Sequence, residues 1–216
     1  IMSFIKHCIF DLDGVIVDTA KFHYLAWKRL AQELGFELTP MQNERLKGVS
    51  RIQSLEVILK LGNIKASETE KNKMADKKNQ WYVQYISSMT PKDILPGAKE
   101  FILKVRENGI KTSLGSVSKN AALILEKIAI THLFDCIVDG TRITKAKPDP
   151  QVFLISCEEL AVTPSESVVF EDSIAGIQAA LAGGMHSIGI GNAKILSMAE
   201  RIIPDFTHAD MSILVY

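Results

Sequence analysis

Short strand-like runs recur along the chain, and each is followed by a charged residue, a serine or a glycine. The runs occupy positions 5–10, 111–115, 134–138, 168–170 and 187–190 of the 216 residues. Segments with helical periodicity lie between them at 98–106, 121–128, 153–160 and 174–181. This alternation predicts an α/β fold, a Rossmann-like parallel sheet covered by helices on both faces. Ligands of such sheets bind beyond the carboxyl ends of the strands, where these polar residues stand.

Residues 19–89 follow a different pattern, with helical periodicity and no comparable apolar strands. Thr19 or its neighbour Asp18 can cap a first helix, and Ser50 can cap a second. A third, lysine-rich helix is predicted at about 68–86. The apolar face of the first helix is formed by Trp27, Leu30, Ala31 and Leu34.

This block predicts a small helical cap domain at 18–90, inserted after the first strand. The α/β core would then consist of residues 1–17 and 91–216, with linkers near 15–18 and 90–96. The alternative is a single continuous domain.

Composition excludes several classes of protein. The chain has 25 basic and 25 acidic residues and no strong basic stripe, so we expect no nucleic-acid partner. No apolar run approaches the roughly 20 residues that a membrane helix needs, and no segment resembles a signal peptide. The widely spaced Cys8, Cys136 and Cys157 indicate reduced thiols. We therefore expect a cytoplasmic protein without a membrane partner, acting as a monomer.

Two aspartates follow the first apolar run. Asp11 stands where the predicted strand ends, and a carboxylate there is costly unless it is paired or bound to metal. An aspartate can attack phosphorus and divide phosphoryl transfer into two easier steps. Asp13, two residues on, can act as general acid and base on a hydroxyl, and Gly14 permits a tight turn.

A pair of acids, Glu171 and Asp172, follows the fourth apolar run. Adjacent carboxylates near Asp11 would repel each other unless a cation lay between them. Mg²⁺ prefers oxygen ligands and keeps some of its waters, so few carboxylates suffice. The alternative is that Asp172 only caps the helix that follows. The pair predicts a Mg²⁺ site that serves phosphoryl transfer.

Phosphate ligands are expected at three further positions. The prolines that follow Lys147 stiffen its loop, so its ammonium can offset the charge of a phosphoryl group. Ser116 ends the second strand, and residues 118–120 open a helix whose N–H groups suit an anion. Arg51 opens a helix of the insert and can grip a second phosphate with two hydrogen bonds. Taken alone, Arg51 would be an ordinary surface arginine.

These segments together resemble the haloacid-dehalogenase-like phosphotransferase superfamily, and the resemblance covers the whole chain. The motifs around Asp11, Lys147 and Glu171 occur throughout the superfamily. The strings at 46–51 and 116–120 are more specific and are similar to those of sugar-phosphate mutases within it.

The resemblance implies interconversion of β-glucose 1-phosphate and glucose 6-phosphate through a β-glucose 1,6-bisphosphate intermediate. It implies that Asp11 carries the phosphoryl group and that Asp13 is the acid and base. Mg²⁺ would be held by Asp11, the backbone carbonyl of Asp13, Glu171 and Asp172.

The resemblance also implies the substrate ligands. Thr19 and His23 would lie near a hinge that positions Asp13, and His23 would also border the substrate. The insert would line the sugar pocket with Trp27, Lys47, Gly48, Arg51, Ser54 and Lys78. The core would hold phosphate with Ser116, Val117, Ser118, Lys119, Asn120 and Lys147. Val117 departs from the family pattern, in which a smaller alanine is expected, and adds bulk near the site.

Three functions remain open at this point. The first is a sugar-phosphate mutase, in which a second sugar phosphate attacks the aspartyl phosphate. The second is a phosphatase for small sugar phosphates, in which water attacks the same intermediate. The third is a binding protein with inactive chemistry, which is disfavoured because all the catalytic groups are present.

Overall fold

A computed structural model of the chain describes residues 5–46 and 50–216. The described residues divide into two compact units by their contacts. One unit contains the chain up to Asp18 together with Thr90–Tyr216, and the other is Thr19–Met89. That the second unit is a separate cap domain at 18–90 stays a prediction.

A six-stranded parallel sheet forms the larger unit. Its strands are β1 (His7–Phe10), β2 (Lys111–Gly115), β3 (Cys136–Val138), β4 (Ser167–Glu171), β5 (His186–Ile190) and β6 (Arg201–Ile203). They lie in the order β3-β2-β1-β4-β5-β6. The predicted α/β class with a parallel sheet is confirmed. β6 was not predicted, because it has only three half-buried residues and no apolar run around it.

Eight α-helices connect the strands and build the smaller unit among the residues that the structure describes. They are α1 (Ala20–Glu33), α2 (Pro40–Asn43), α3 (Arg51–Leu61), α4 (Glu68–Ile86), α5 (Ala98–Glu107), α6 (Ala121–Lys127), α7 (Gln151–Leu160) and α8 (Ile174–Ala182). None of the helices described is both long and apolar enough to cross a membrane.

The sheet is buried on both faces because successive side chains of each strand point to opposite sides. Ile9 and Val169 belong to a core cluster with residues of α7 and α8. Their neighbours Phe10 and Phe170 point the other way and stack, with ring centroids 4.7 Å apart. Phe101 of α5 packs edge-on against Phe170 at 5.4 Å. Central strands of this kind read as continuous apolar runs, which is why the sequence reveals them.

The smaller unit is a set of helices with apolar faces turned inward. Trp27 and Leu30 of α1 are buried, as are Leu55 of α3 and Tyr82 of α4. Ser50 caps α3 as predicted: its hydroxyl accepts from the N–H of Gln53, whose side chain accepts from the N–H of Ser50. The short α2 was not predicted.

The order of the strands places a ligand crevice at β1. From β1 the chain moves outward through β2 and β3, then crosses back to β4 on the other side of β1. The connections on the two sides leave in opposite directions, and a crevice opens between them at the carboxyl ends of the strands. Asp11 directly follows β1, and Glu171 ends β4.

Candidate active site

Three carboxylates meet at the carboxyl ends of β1 and β4. One oxygen each of Asp11, Glu171 and Asp172 lies within 4.8 Å of the other two. Asp11 and Glu171 are buried, whereas Asp172 is exposed. The backbone N–H of Asp11 donates to the carbonyl of Phe170 at 3.0 Å, so the ladder between β1 and β4 extends to Asp11 and fixes its position. The predicted acids are therefore brought together.

Lys147 lies between two of these acids. Its Nζ donates to Asp11 Oδ1 at 2.7 Å, to the carbonyl oxygen of Gly115 at 3.1 Å and to Glu171 Oε2 at 3.1 Å. The three N–H donors of an ammonium are thus all used. The side chain is only 5% exposed. Lys147 is held in one orientation between the end of β2 and the two acids.

The charges of this group perturb one another. Burial, followed by the charge of Asp11, raises the pKa of Glu171 to about 8, although Lys147 opposes the rise. Partial desolvation and the charges of Asp11 and Asp13 also raise the pKa of Asp172 above its usual value. Burial alone would lower the pKa of Lys147, but Asp11 and Glu171 outweigh it and raise that pKa. One ammonium does not balance three carboxylates, so the group is suited to a further cation.

The donor set fits Mg²⁺, since it consists of carboxylate oxygens from two buried side chains and one exposed side chain. Each carboxylate oxygen has two lone pairs, so an oxygen that accepts from Lys147 can still face a metal. That the carbonyl of Asp13 completes the set stays a prediction. Asp13 itself is half-buried in a tight loop, in which the N–H of Gly14 donates to the carbonyl of Val17 at 2.7 Å.

Hydrogen bonds from backbone N–H groups to two serine hydroxyls of the same loop shape the loop after β2. The N–H of Ser116 donates to the carbonyl of Val138 at 3.0 Å, which ties the loop to β3. The hydroxyl of Ser116 accepts from the N–H of Ser118 at 3.1 Å, and that of Ser118 accepts from the N–H of Asn120 at 3.2 Å. Val117 and Lys119 alternate with them.

The helical segment predicted at 121–128 is confirmed as α6, and residues 118–120 lie before it. α6 begins at Ala121 and has 7 residues, because the serine turns keep 116–120 as a loop. An anion would therefore meet the loop rather than the end of a long helix dipole.

In the smaller unit, Lys78 is buried among aromatic rings. It is 2% exposed, and its Nζ lies 4.6 Å from the ring centroid of Trp27 and 4.8 Å from that of Tyr82. The same Nζ is 2.8 Å from His23 Nδ1, and His23 stacks on Tyr82 at 4.0 Å. Because an ammonium only donates, His23 Nδ1 accepts and the ring proton sits on Nε2.

The electrostatics of this group keep His23 neutral. Burial, then the positive charges of Lys78 and Arg51, lower the pKa of His23 well below its ordinary value. Arg51, the first residue of α3, is half-buried, and burial lowers its pKa as well, although Asp76 and Tyr82 oppose this.

Of the remaining predicted site residues of the insert, the structure describes Ser54 and Thr19. Ser54 is buried one turn after Arg51 in α3. Thr19 is buried at the N-cap position of α1, but its side chain does not cap the helix. Lys47 and Gly48 lie outside the described residues. The roles assigned to all of these side chains stay predictions.

Comparison with known proteins identifies the class. The sequence profile of the haloacid dehalogenase-like hydrolases matches residues 8–190. The chain belongs to this family, which confirms the resemblance read from the sequence.

Particular relatives lie within that class. The chain is 40% identical to a β-phosphoglucomutase of Bacillus subtilis, over 97% of this chain and 93% of that protein. The crystal structure of a β-phosphoglucomutase from Clostridium difficile superposes with a TM-score of 0.92 at 41% identity, covering 98% of this chain and 96% of that one. A phosphorylated carbohydrates phosphatase of Thermotoga maritima is 29% identical over 90% of this chain and 92% of its own length.

Two residues that contact predicted site residues were not themselves predicted as site residues. Tyr82 stacks on His23, and it stands four residues after Lys78 on the same face of α4, a spacing that could have revealed it. Ser173 donates its hydroxyl proton to Glu171 Oε1. Ser173 directly follows the acid pair in the sequence, and this adjacency is the signal that could have revealed it.

Proposed function

We propose that this protein is a Mg²⁺-dependent sugar-phosphate mutase that interconverts β-glucose 1-phosphate and glucose 6-phosphate. The reaction would pass through a phosphoryl group on Asp11 and through β-glucose 1,6-bisphosphate. The observation that carries the choice of a mutase is the 40% identity to a β-phosphoglucomutase over 97% of this chain. The geometry around Asp11 supports the chemistry.

Asp11 is the nucleophile in this proposal. Its carboxylate oxygen attacks phosphorus of the bisphosphate, the phosphorus–oxygen bond to the sugar breaks, and Asp13 gives its proton to the leaving sugar oxygen. In the second half, the hydroxyl of a bound sugar phosphate gives its proton to Asp13 and attacks the phosphoryl group on Asp11. Lys147 at 2.7 Å orients Asp11 and offsets charge on the transferring group.

Mg²⁺ bound by Asp11, the Asp13 carbonyl, Glu171 and Asp172 would supply further positive charge to the phosphoryl oxygens. The loop residues Ser116, Val117, Ser118, Lys119 and Asn120 would bind the phosphoryl oxygens together with Lys147.

The insert would bind the part of the substrate that does not react. Arg51 is the ligand of the distal phosphate, because a guanidinium offers two parallel donors to phosphate. The sugar would contact His23, Trp27, Lys47, Gly48, Ser54 and Lys78, with Thr19 supporting the hinge. The partners would be small sugar phosphates, and the protein would act as a cytoplasmic monomer.

A phosphatase is the second candidate, favoured by the relation to the Thermotoga maritima phosphatase. It would use the same Asp11, but water would attack the aspartyl phosphate. The two functions share every residue of the core site, so the nature of the acceptor distinguishes them.

Product analysis tests the proposal. The protein is incubated with β-glucose 1-phosphate, Mg²⁺ and a trace of β-glucose 1,6-bisphosphate, and the products are followed by phosphorus NMR. We expect glucose 6-phosphate to accumulate without matching release of phosphate. Stoichiometric inorganic phosphate with no glucose 6-phosphate would overturn the mutase and favour the phosphatase. Asp11→Asn is the control for contaminating activity.

A further inference from the structure

Gly176, in the first turn of α8, lies directly against the carboxyl group of Glu171. A side-chain carbon built on Gly176 would lie 2.0 Å from both Cδ and Oε1 of Glu171 and 2.2 Å from its Cγ. Real contacts of such a carbon essentially never fall below 3.0 Å. The Glu171 carboxyl therefore occupies the volume that any other residue at 176 would fill.

The Glu171 side chain has no easy way to yield. It is 1% exposed. Lys147 donates to its Oε2 at 3.1 Å, and Ser173 donates to its Oε1. The Ser173 hydroxyl accepts in turn from the N–H of Gly176 at 3.1 Å. A carbon at 176 would displace the Glu171 carboxyl and disturb its hydrogen bonds with Lys147 and Ser173.

The backbone does not explain a glycine at this position. Gly176 is not among the glycines with positive φ. Glycine in a helix is also less favourable than alanine. Room for Glu171 is therefore what requires glycine in this turn of α8.

We propose that Gly176 is a positioning residue of the metal site, whose missing side chain lets Glu171 reach the group formed with Asp11 and Asp172. The proposal rests on the metal site of the proposed function. A second glycine leaves room for a carboxylate in the same way: in the loop after β1, a side-chain carbon on Gly14 would lie 1.9 Å from Asp172 Oδ2. Gly14 has a φ of +82°, so its substitution would also strain the backbone, and Gly176 is the cleaner test.

The first measurement is direct Mg²⁺ binding by calorimetry to protein freed of metal with a chelator. Changes behind a metal ligand typically weaken binding about 10- to 100-fold, and we expect a loss of that size in Gly176→Ala. Gln178→Ala, an exposed change to alanine on the same helix, should bind Mg²⁺ like the wild type. Unchanged Mg²⁺ affinity in Gly176→Ala would overturn the proposal.

The second measurement is a double-mutant cycle in melting temperature without metal. In the wild-type background Gly176→Ala should lower the melting temperature. In the Glu171→Ala background the clashing atoms are gone, so the same change should leave the melting temperature equal or raise it through helix propensity. An equal loss of melting temperature in both backgrounds would show that residue 176 matters only for packing of α8. It would contradict the claim that Glu171 occupies the space of a side chain at 176.

The two readouts separate this proposal from the function on which it rests. If Gly176→Ala fails to fold while Gly176→Ala with Glu171→Ala folds, the shared volume is supported. If both fail, it is overturned. A wild-type protein that binds no Mg²⁺ would overturn the metal site and the positioning role together, whereas the metal-free cycle would still report on the shared volume alone.

Discussion

Lys147 sets the charge around Asp11, the proposed nucleophile, by contacting Asp11 and Glu171 at once. It keeps Asp11 oriented at the end of β1, but it leaves the surrounding acids in excess. Burial, followed by the charge of Asp11, raises the pKa of Glu171 despite the opposing charge of Lys147. Such a site suits the binding of both a cation and a phosphoryl group. Replacing different charged residues of the proposed site should therefore impair different steps of phosphoryl transfer.

Asp13→Asn should separate proton transfer from nucleophilic attack. The variant keeps Asp11 but has no proton to give a sugar oxygen, so we expect mutase turnover to fall about 10²- to 10⁴-fold. Acetyl phosphate has a good leaving group that needs no acid, so it should still phosphorylate Asp11 at nearly the normal rate. Rapid-quench phosphorylation and steady-state turnover of the same variant check this. Equal losses in both would contradict the role of Asp13.

Arg51→Ala tests the proposed binding of the distal phosphate by Arg51, and we expect it to weaken that binding. Hydrogen bonds to a charged group contribute about 1.5–3 kcal/mol, so kcat/KM for the mutase should fall about 10- to 150-fold. Transfer from acetyl phosphate, which has no second phosphate, should change little. Arg45→Ala, an exposed arginine of the same unit, is the control and should behave like the wild type. A loss of acetyl phosphate reactivity as large as the loss of mutase activity would assign Arg51 to the fold instead.

Residue types and spacing reveal the acids, the lysine and the arginine, because catalytic chemistry restricts which side chains can serve. They do not reveal Gly176, whose importance depends on Glu171 approaching it in three dimensions. They also miss His7, which reads as part of an apolar strand but is fully buried and hydrogen-bonded. Positions defined by shared volume or by contacts between distant strands carry no local signal.

Strands β1 to β5 were predictable because burial on both faces makes them short apolar runs between turn signals. β6 and α2 escaped because each has only three or four residues without a distinctive pattern. The helices of the insert were predictable from their periodicity, with α4 matching its predicted bounds of 68–86.

The start of α4 offers a test of local stability. Ser67 accepts from the N–H of Glu70, and the Glu70 carboxylate accepts from the N–H of Ser67 at 2.7 Å. Ser67→Ala should lower the free energy of unfolding by about 1 kcal/mol, measured by urea denaturation. Thr69→Ala, exposed in the same turn, should be neutral or slightly stabilising. A similar loss in both variants would argue against the cap.

β1 carries a buried histidine, His7, whose pKa differs between the folded and the unfolded chain. His7 Nε2 lies 2.7 Å from the Ser113 hydroxyl and Nδ1 lies 3.2 Å from that of Ser167. Burial lowers the pKa of His7 from 6.5 to about 4, with Asp135 opposing and Lys111 assisting. The unfolded chain therefore binds more protons between these values, so the contribution of His7 to stability is present above pH 6.5 and is lost as pH falls towards 4.

Replacement of His7 should remove this part of the pH dependence. The shift corresponds to about 3 kcal/mol at full effect. We expect the free energy of unfolding of His7→Gln to vary less between pH 6.5 and 4 than that of the wild type, in urea titrations at several pH values. His208→Gln, an exposed histidine, should keep the wild-type slope. An unchanged slope in His7→Gln would show that other groups cause the acid sensitivity.

The sheet as a whole explains why the chemistry sits where it does. The strand order reverses around β1, so the ends of β1, β2 and β4 converge and supply Asp11, the Gly115 carbonyl and Glu171. The fold alone does not choose between a mutase and a phosphatase, because both use this edge. Under the proposed chemistry, the choice depends on whether a sugar phosphate or water accepts the phosphoryl group from Asp11.

A pulse–chase experiment tests that transfer most directly. The protein is phosphorylated with radiolabelled acetyl phosphate, then chased with buffer or with β-glucose 1-phosphate, and the label is traced through the products. We predict that the sugar phosphate discharges the enzyme far faster than buffer, that the label appears in sugar phosphates, and that Asp11→Asn takes up none. Release of the label as inorganic phosphate at the same rate in both chases, or stable labelling of Asp11→Asn, would contradict the proposed mutase.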